Sequence, residues 1–415
     1  MVVKNTAIQV PVRVAKTKNF VFEDGERACI IVDLDGMPLF YPNLFLTTHA
    51  RNRSLSSSSV TNIAGHLCAF LQAMEEARID LLSRLPAGYI LEPYEVEALR
   101  GDLQRPLLVE SQGKGFPTYF SQDRYISKEI LHARVGVTTQ YLEFLAKNFL
   151  RNTRDSKELE RLYSALKDIR PIYKKRNTIK RKKGLDEITV AAIVEVMTPG
   201  SEYNVWSDEG LQVRNRLLLA LMYELGIRRG ELLNIKIEDI NFGSGNLSVV
   251  RRADEKDDPR VFQPLAKTND RDLPIKASTL KELQLYIANY RRHVPGAKKH
   301  GFLFVTHKPG KSQGQPISLS GYKDIIKSLR EAVPPLSDFT GHDLRHNWND
   351  RFSNLMERAE ISPAEEELMR SMLMGWKFGS GTAATYNTRY IERRAARFGM
   401  KMQEESIRPV MKGAK

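Results

Sequence analysis

The sequence is organised around His342-Asp343-Leu344-Arg345-His346, at the start of a predicted helix over residues 342–357. Residues three positions apart share one face of a helix, so we expect His342 and Arg345 to face the same ligand. A guanidinium is a planar fork of donors that fits phosphate oxygens, and an imidazole can transfer a proton near neutral pH. The alternative is a surface helix whose histidine and arginine are solvated. The pair therefore indicates a phosphate site only if other segments supply partners for it.

An indole and a phenol follow this helix in the sequence. They occur in Leu373-Met374-Gly375-Trp376 and in Thr382-Ala383-Ala384-Thr385-Tyr386. An indole N–H can only donate a hydrogen bond, so Trp376 can position an anion but cannot exchange protons with it. A phenol can act as a covalent nucleophile when the neighbouring phosphate is held and neutralised. The alternative is that Tyr386 packs in a core.

Composition limits the classes of protein that this chain can represent. Its 415 residues predict two or three domains, each long enough to bury a core. The longest apolar run, Leu217–Tyr223, is far shorter than the roughly 20 residues of a membrane span, and the N-terminus does not resemble a signal peptide. The 2 cysteines, Cys29 and Cys68, cannot build a disulfide framework or a Cys-rich zinc site. A reducing cytoplasm is therefore expected.

The net charge of +14 favours a polyanionic partner. Between Arg170 and Lys183, 8 of 14 residues are Lys or Arg and none is acidic. We interpret residues 171–184 as a basic linker that follows a DNA backbone, although a solvated tether has the same composition. The predicted DNA-binding residues are Lys174, Lys175, Arg176, Lys180, Arg181, Lys182 and Lys183.

Two regions are predicted before this linker. Residues 1–45 form a small β-containing lead-in, in which Cys29–Val32 and Leu39–Tyr41 flank a hairpin turn at Asp33–Gly36. Residues 46–170 form a helical domain, because apolar residues recur at helical spacing over about 56–74, 127–148 and 156–169. The segments between the first two of these helices are predicted to be loose.

Residues 185–400 are predicted as a second domain, followed by a tail over 401–415. The stretch Leu217–Leu225 is apolar nearly all round, which predicts a buried helix. Arg228 and Arg229 emerge directly after it, and their charges are costly to place unless an anion or a carboxylate meets one of them. Further helices are expected over 278–293 and 318–332.

A small antiparallel sheet is predicted within the same domain. Its strands are Leu247–Val250, Val261–Lys267 and Asp272–Ile275, with a turn at Thr268–Arg271. Lys267 stands at the edge of this turn, where its long side chain can reach into a cleft. The alternative is an ordinary exposed turn lysine. The predicted class is therefore mainly α with a small antiparallel sheet (α+β).

In chain order, these motifs resemble the active site of the tyrosine recombinase (phage integrase) family. The similar strings are LGIRRGEL at 225–232, KTNDRDLPI at 267–275, HDLRH at 342–346, and MGW at 374–376 followed by Thr385-Tyr386. The resemblance covers residues 185–400 closely. The helical domain resembles the family's core-binding domain by pattern and position only. The lead-in matches no element of the family closely, and both an arm-site DNA-binding role and the absence of one stay open for it.

The resemblance implies a site-specific recombinase or integrase that cleaves and rejoins DNA through a 3′-phosphotyrosyl intermediate. Arg228 and Arg345 would stabilise charge on the phosphate, Lys267 would protonate the leaving 5′-oxygen, and His342 would assist proton transfer or hold the phosphate. Tyr386 is favoured over Tyr390 as nucleophile because its interval from Trp376 is close to the family's. The implied catalytic residues are Arg228, Lys267, His342, Arg345, Trp376 and Tyr386.

The same resemblance implies double-stranded DNA as partner, a tetramer on paired DNA sites and a task in a mobile element of a bacterium, in the cytoplasm near the nucleoid. It implies no metal, no ATP, no other cofactor and no membrane partner. One departure from the family is a long interval between Arg345 and Tyr386, which predicts an inserted turn over Ala359–Glu367. Three alternatives are an inactive DNA-binding regulator, a type IB topoisomerase-like strand transferase, and a metal-dependent transposase or nuclease with convergent carboxylates.

Overall fold

A computed structural model describes residues 13–107, 125–150, 153–172, 185–379 and 394–405 of this chain. Internal contacts divide the chain into two compact units, Met1–Arg181 and Lys182–Lys415. The described residues are mainly helical and carry two small antiparallel sheets, which confirms the predicted α+β class. The finer domain boundaries stay predictions. Among the described residues, no helix is both long and apolar enough to cross a lipid bilayer.

The first unit begins with strands β1 (Lys16–Val21) and β2 (Arg27–Val32), which pair antiparallel. The predicted turn after β2 forms, because the Met37 N–H donates to the Asp33 carboxylate over 2.8 Å. The strand predicted at Leu39–Tyr41 is wrong, because helix α1 (Phe40–Leu46) begins there. The hairpin partner of β2 is instead the strand that precedes it.

The physical reason lies in Asn43 of α1. Its Oδ1 accepts from the Ile31 N–H over 2.8 Å, and its Nδ2 donates to the Ile31 carbonyl over 2.7 Å. The Asn43 side chain therefore bonds both backbone groups of Ile31, whose carbonyl also accepts from the Leu39 N–H over 3.0 Å.

The helices of the first unit and its strands share one hydrophobic core. The predicted helices are confirmed as α2 (Ser57–Glu76), α5 (Lys128–Phe149) and α6 (Thr153–Ile169). The stretch predicted to be loose contains α3 (Leu81–Arg84) and α4 (Pro93–Leu103), so that prediction was wrong there. The fully buried members of the core include Ile31, Phe45, Leu67, Phe70, Leu85, Leu99, Leu103 and Leu131.

The second unit is built on helix α8 (Glu209–Leu225), which is buried as predicted. The Asp208 carboxylate caps its start by accepting from the Leu211 N–H over 2.8 Å. Gly226 ends it in the left-handed region with φ +62°. The other helices are α7 (Glu187–Met197), α9 (Arg229–Leu232), α10 (Ala277–Leu285), α11 (Leu319–Ala332), α12 (Gly341–Arg358) and α13 (Pro363–Met374).

One helix prediction and one turn prediction in this unit need correction at their boundaries. The helix predicted over 278–293 divides into α10, a π-helical turn Tyr286–Tyr290 and a 3-10 turn Arg291–His293. The inserted turn predicted up to Glu367 is shorter, because α13 already begins at Pro363. Pro363 fits the first helical position, and the Ser362 hydroxyl before it accepts from the Glu365 N–H over 3.3 Å.

The sheet of this unit consists of β3 (Ile240–Asn241), β4 (Asn246–Val249) and β5 (Arg271–Pro274), in that order and antiparallel. The strand predicted at Val261–Lys267 is wrong. β4 pairs directly with β5, so this segment does not lie between them. Its backbone packs instead on α9, where a Cβ at Gly230 would lie 2.5 Å from the Leu265 carbonyl oxygen.

Candidate active site

Most of the predicted catalytic residues lie in the part of the chain that the structure describes. These are Arg228, Lys267, His342, Arg345 and Trp376. Tyr386 and Tyr390 lie outside the described residues. The same holds for the predicted DNA-binding residues Lys174, Lys175, Arg176, Lys180, Arg181, Lys182 and Lys183.

Arg345 lies in the second turn of α12 and is 1% exposed. Its Nη1 donates to the Gly226 carbonyl over 2.7 Å, across 119 positions of sequence. Its guanidinium carbon lies 5.2 Å from the centre of the Trp376 ring. The carbonyl fixes one edge of the guanidinium and the indole covers one face, so its position is defined by two separate elements.

The start of α12 explains why Arg345 and His342 are presented together. The Asp343 carboxylate accepts from the Thr340 N–H over 2.8 Å, as part of a reciprocal capping box. This cap fixes the first helical turn, in which His342 lies on the exposed side and Leu344 is buried. The three-residue spacing then places Arg345 on the same face as His342.

Arg228 stands at the start of α9, and its side chain is 29% exposed. Its backbone N–H donates to Glu231 Oε2 over 2.9 Å, and its Nη1 lies 3.4 Å from Glu231 Oε1. Of the two partners considered for the paired arginines, an anion or a carboxylate, the structure shows a carboxylate beside Arg228. Arg229 is exposed, and its guanidinium lies over the Tyr322 ring at 5.7 Å from the centre.

Glu231 is a buried junction that the sequence interpretation did not identify. Besides Arg228, it accepts from the Thr268 hydroxyl over 2.6 Å and from Arg271 Nη2 over 2.9 Å. Burial by itself raises the pKa of this carboxyl, but Arg271, Thr268 and the Arg228 N–H together hold it below its usual range. Glu231 therefore stays ionised and ties the turn that carries Lys267 to the loop that carries Arg228.

The turn containing Lys267 is also attached to the end of α13. The Asn269 N–H donates to the Gly375 carbonyl over 2.9 Å, and Arg271 Nε donates to the Leu373 carbonyl over 2.6 Å. Lys267 itself is exposed at this turn. Its amine is therefore presented from a segment that lies beside Trp376, which directly follows Gly375.

His342 is exposed on α12, but part of its ring is shielded from water. That shielding lowers the pKa of His342, and the positive charges of Arg345 and Arg228 lower it further against an opposing effect of Asp343. The ring centres of His342 and His346 lie 4.6 Å apart, edge to face. His342 is therefore neutral at pH 7 and able to accept a proton or a hydrogen bond.

Trp376 is 6% exposed and forms a small buried cluster with Trp348 and Met374. The Trp348 indole N–H donates to the Glu224 carbonyl over 2.9 Å, which holds the cluster on the end of α8. Gly226 has to be a glycine here, since a Cβ would lie 2.7 Å from the Trp348 ring. The described residues contain no group of three or more His, Cys, Asp or Glu arranged to hold a metal ion.

The structure thus gathers Arg228, His342, Arg345 and Trp376, and holds the Lys267 turn against them. Sequence reasoning missed Glu231, Thr268 and Arg271. The three-residue spacing of Arg228 and Glu231 was an available signal. The contacts from Thr268 and Arg271 to Glu231 span 37 and 40 positions and had no local signal.

Comparison with known proteins shows which family the second unit is similar to. Residues 185–387 match the phage integrase family. The chain is 25% identical over 157 residues to the tyrosine recombinase XerD of Halalkalibacterium halodurans, covering 38% of this chain and 45% of that protein. It is 24% identical over 230 residues to the tyrosine recombinase XerC of Staphylococcus aureus, covering 52% of this chain and 66% of that protein.

Solved structures of similar proteins were also found. XerH site-specific recombinase bound to a palindromic difH substrate has a TM-score of 0.48 at 14% identity, covering 86% of this chain and 85% of that chain. The Tn1549 transposon integrase in complex with transposon right end DNA has a TM-score of 0.48 at 14% identity, covering 87% of this chain and 99% of that chain.

Residues 185–387 therefore form a domain of the tyrosine recombinase (phage integrase) family. The chain spans 45% and 66% of the length of the two curated relatives.

Proposed function

We propose that this protein is a site-specific DNA recombinase that cleaves and rejoins DNA through a 3′-phosphotyrosyl intermediate, in the integration or recombination of a mobile element. The observation that carries the proposal is the convergence of Arg228, His342 and Arg345. Both arginines are close enough to His342 to lower its pKa. Three donor side chains converging on one place match the oxygens of a phosphodiester.

The first chemical step is attack of the Tyr386 oxygen on the phosphorus. The new oxygen–phosphorus bond forms as the bond from phosphorus to the 5′-oxygen breaks. The transition state places extra negative charge on the non-bridging oxygens, and the forked guanidinium groups of Arg228 and Arg345 stabilise it. The phenol proton moves away with assistance from His342, whose neutral ring can accept it.

Lys267 completes the step by protonating the departing 5′-oxygen. Its place on an exposed turn gives the long side chain freedom to reach that oxygen, while the Glu231 and Gly375 contacts fix the base of the turn. Trp376 donates a hydrogen bond to the phosphate. Its indole lies over one face of the Arg345 guanidinium, which leaves the in-plane N–H donors of Arg345 to bind the phosphate.

The intermediate conserves the energy of the broken bond, so rejoining by a 5′-hydroxyl requires neither ATP nor a metal ion. Exchange of strands between two duplexes requires more than one active site, which favours self-association on paired DNA sites. The basic residues 174–183 bind the DNA backbone in this proposal, because phosphate contacts position a protein without reading bases. The protein acts on bacterial DNA in the cytoplasm.

The test is covalent trapping on a nicked suicide substrate. Wild type and Tyr390→Phe are expected to form a protein–DNA adduct in the presence of EDTA, whereas Tyr386→Phe is expected to form none. Peptide mapping identifies the residue that carries the nucleotide.

An adduct on Tyr390 would identify Tyr390 as the nucleophile and would leave the proposed reaction unchanged. Absence of any adduct from wild type on DNA that it binds would instead favour a DNA-binding regulator. Relaxation of plasmids that lack a specific site would favour a topoisomerase.

A further inference from the structure

A buried ion pair outside the predicted catalytic set joins α12 and α13. The side chains of Arg370 and Glu366 are 0% and 3% exposed, and Arg370 Nη2 donates to Glu366 Oε1 one turn earlier in α13. Glu366 also accepts from the Ser353 hydroxyl of α12 over 2.9 Å. Apolar side chains of similar volume can fill such a space without the cost of removing two charges from water. Packing alone therefore does not explain why a charged pair occupies this buried position.

Arg370 also contacts α12 at two successive turns. Its Nη1 donates to Asn349 Oδ1 over 3.0 Å, and its Nη2 donates to the Ser353 hydroxyl over 2.6 Å. The guanidinium also lies over the Phe352 ring at 5.1 Å from the centre. A planar fork that bridges two turns fixes how far α13 can slide along α12. Apolar packing is non-directional and fixes this position less tightly.

That axial position affects the candidate active site from both helices. On α12, Asn349 Nδ2 donates to the backbone carbonyl of Arg345 over 2.8 Å and lies 3.9 Å from the Met374 sulfur. On α13, the helix ends at Met374, and the indole of Trp376 lies against the Arg345 guanidinium. The same helix end carries the carbonyl of Gly375 that holds the Lys267 turn.

We propose that Arg370 is a positioning residue. With Glu366, Asn349 and Ser353 it forms a clamp that sets the placement of Arg345 relative to Trp376 and to the Lys267 turn. This inference rests on the proposed function, in which Arg345 binds the phosphate that is cleaved. Arg370 touches no substrate and acts only through the alignment of the two helices. A displacement of about 1 Å at reacting groups can lower a rate about 100-fold.

The test uses a double variant, Glu366→Leu with Arg370→Met, that removes both charges and keeps most of the buried volume. We expect its melting temperature to stay within a few degrees of wild type and its affinity for DNA within about threefold. Single-turnover cleavage of the suicide substrate should fall between about 10-fold and 100-fold. Arg370→Lys keeps the charge without the planar fork and should give an intermediate rate. Arg358→Met, at the exposed end of α12, is the control and should cleave as wild type does.

A double variant that folds and cleaves at the wild-type rate would overturn the clamp, because packing alone would then suffice. If the double variant does not fold, Ser353→Ala takes its place, since it removes one contact of the fork and introduces no new bulk. Wild-type cleavage by a folded Ser353→Ala protein would likewise overturn the proposal. Failure of the wild type itself to form an adduct would count against the proposed function, and the role of the clamp would fall with it.

Discussion

At the scale of single residues, the two site arginines differ in their surroundings. The Arg228 side chain is 29% exposed and contacts the Glu231 carboxylate. Arg345 is 1% exposed, donates to the Gly226 carbonyl and lies against the Trp376 indole. A buried cation is costly unless it is well bonded. Arg345 therefore depends on the surrounding fold for its position, and Arg228 depends mainly on Glu231. His342 lies close enough to both for its protonation to report on them.

We predict that the pKa of His342 in the free protein lies below its ordinary value of 6.5. Partial burial, and then the charges of Arg345 and Arg228, disfavour the imidazolium. Since the folded-state pKa is lowered, the stability that depends on neutral His342 is present above about pH 6.5 and is lost as pH falls through the folded pKa. NMR titration of the ring protons, assigned with His342→Gln, measures this pKa.

Replacing Arg228 by Gln removes one of the charges that disfavour the imidazolium, so the pKa of His342 should rise. Burial and Arg345 remain in that variant, so the pKa should still lie below 6.5. An unchanged pKa in Arg228→Gln would show that the two side chains are not coupled as the structure indicates.

At the scale of elements, the site depends on how the turn that carries Lys267 docks on the end of α13. Gly375 permits this contact, because a Cβ there would lie 2.8 Å from the Asn269 carbonyl oxygen and 2.9 Å from Thr268 Cβ. Its φ of +65° favours glycine as well. A substitution at Gly379 separates the steric contact from the backbone strain. Gly379 has a similar φ of +69°, and a Cβ there would meet nothing within 4 Å.

We predict that Gly375→Ala slows cleavage at least about 10-fold, because it displaces the Lys267 turn from Trp376, while DNA affinity changes little. Both Gly375→Ala and Gly379→Ala should lose about 1 kcal/mol from backbone strain. Only Gly375→Ala should lose further stability through the steric clash. Denaturant unfolding and single-turnover cleavage of the two variants measure the difference. Equal effects of both would contradict a specific docking contact at Gly375.

At the scale of the whole molecule, the charge of +14 is distributed unevenly, with the densest run between Arg170 and Lys183. We predict that replacing Lys180–Lys183 with Ala weakens binding to all DNA sequences to a similar degree. The slope of log affinity against log salt should become shallower by about 0.9 for each phosphate contact that is lost. Binding titrations on specific and unrelated duplexes at several salt concentrations measure both effects. A loss confined to one sequence would contradict a backbone role.

The sequence by itself determined the chemical groups of this protein and most of its helices. Arg228, His342 and Arg345 belong to short local motifs, and the buried helix α8 follows from an apolar run, so local spacing was sufficient for them. The same reasoning failed for Val261–Lys267, whose residues suit a strand. Its backbone packs on α9 instead, at Gly230, and this contact between segments distant in the chain has no local signal in the sequence.

Only the tertiary structure decided how the groups are held together. Arg271 reaches Leu373 across 102 positions, Arg345 reaches Gly226 across 119, and Arg370 joins two helices through side chains that no periodicity distinguishes from surface charges. Spacing along the chain identifies residues that share a helix face or a turn. It does not identify which distant carbonyl or carboxylate satisfies a buried cation, because that is determined when the elements pack and water is excluded.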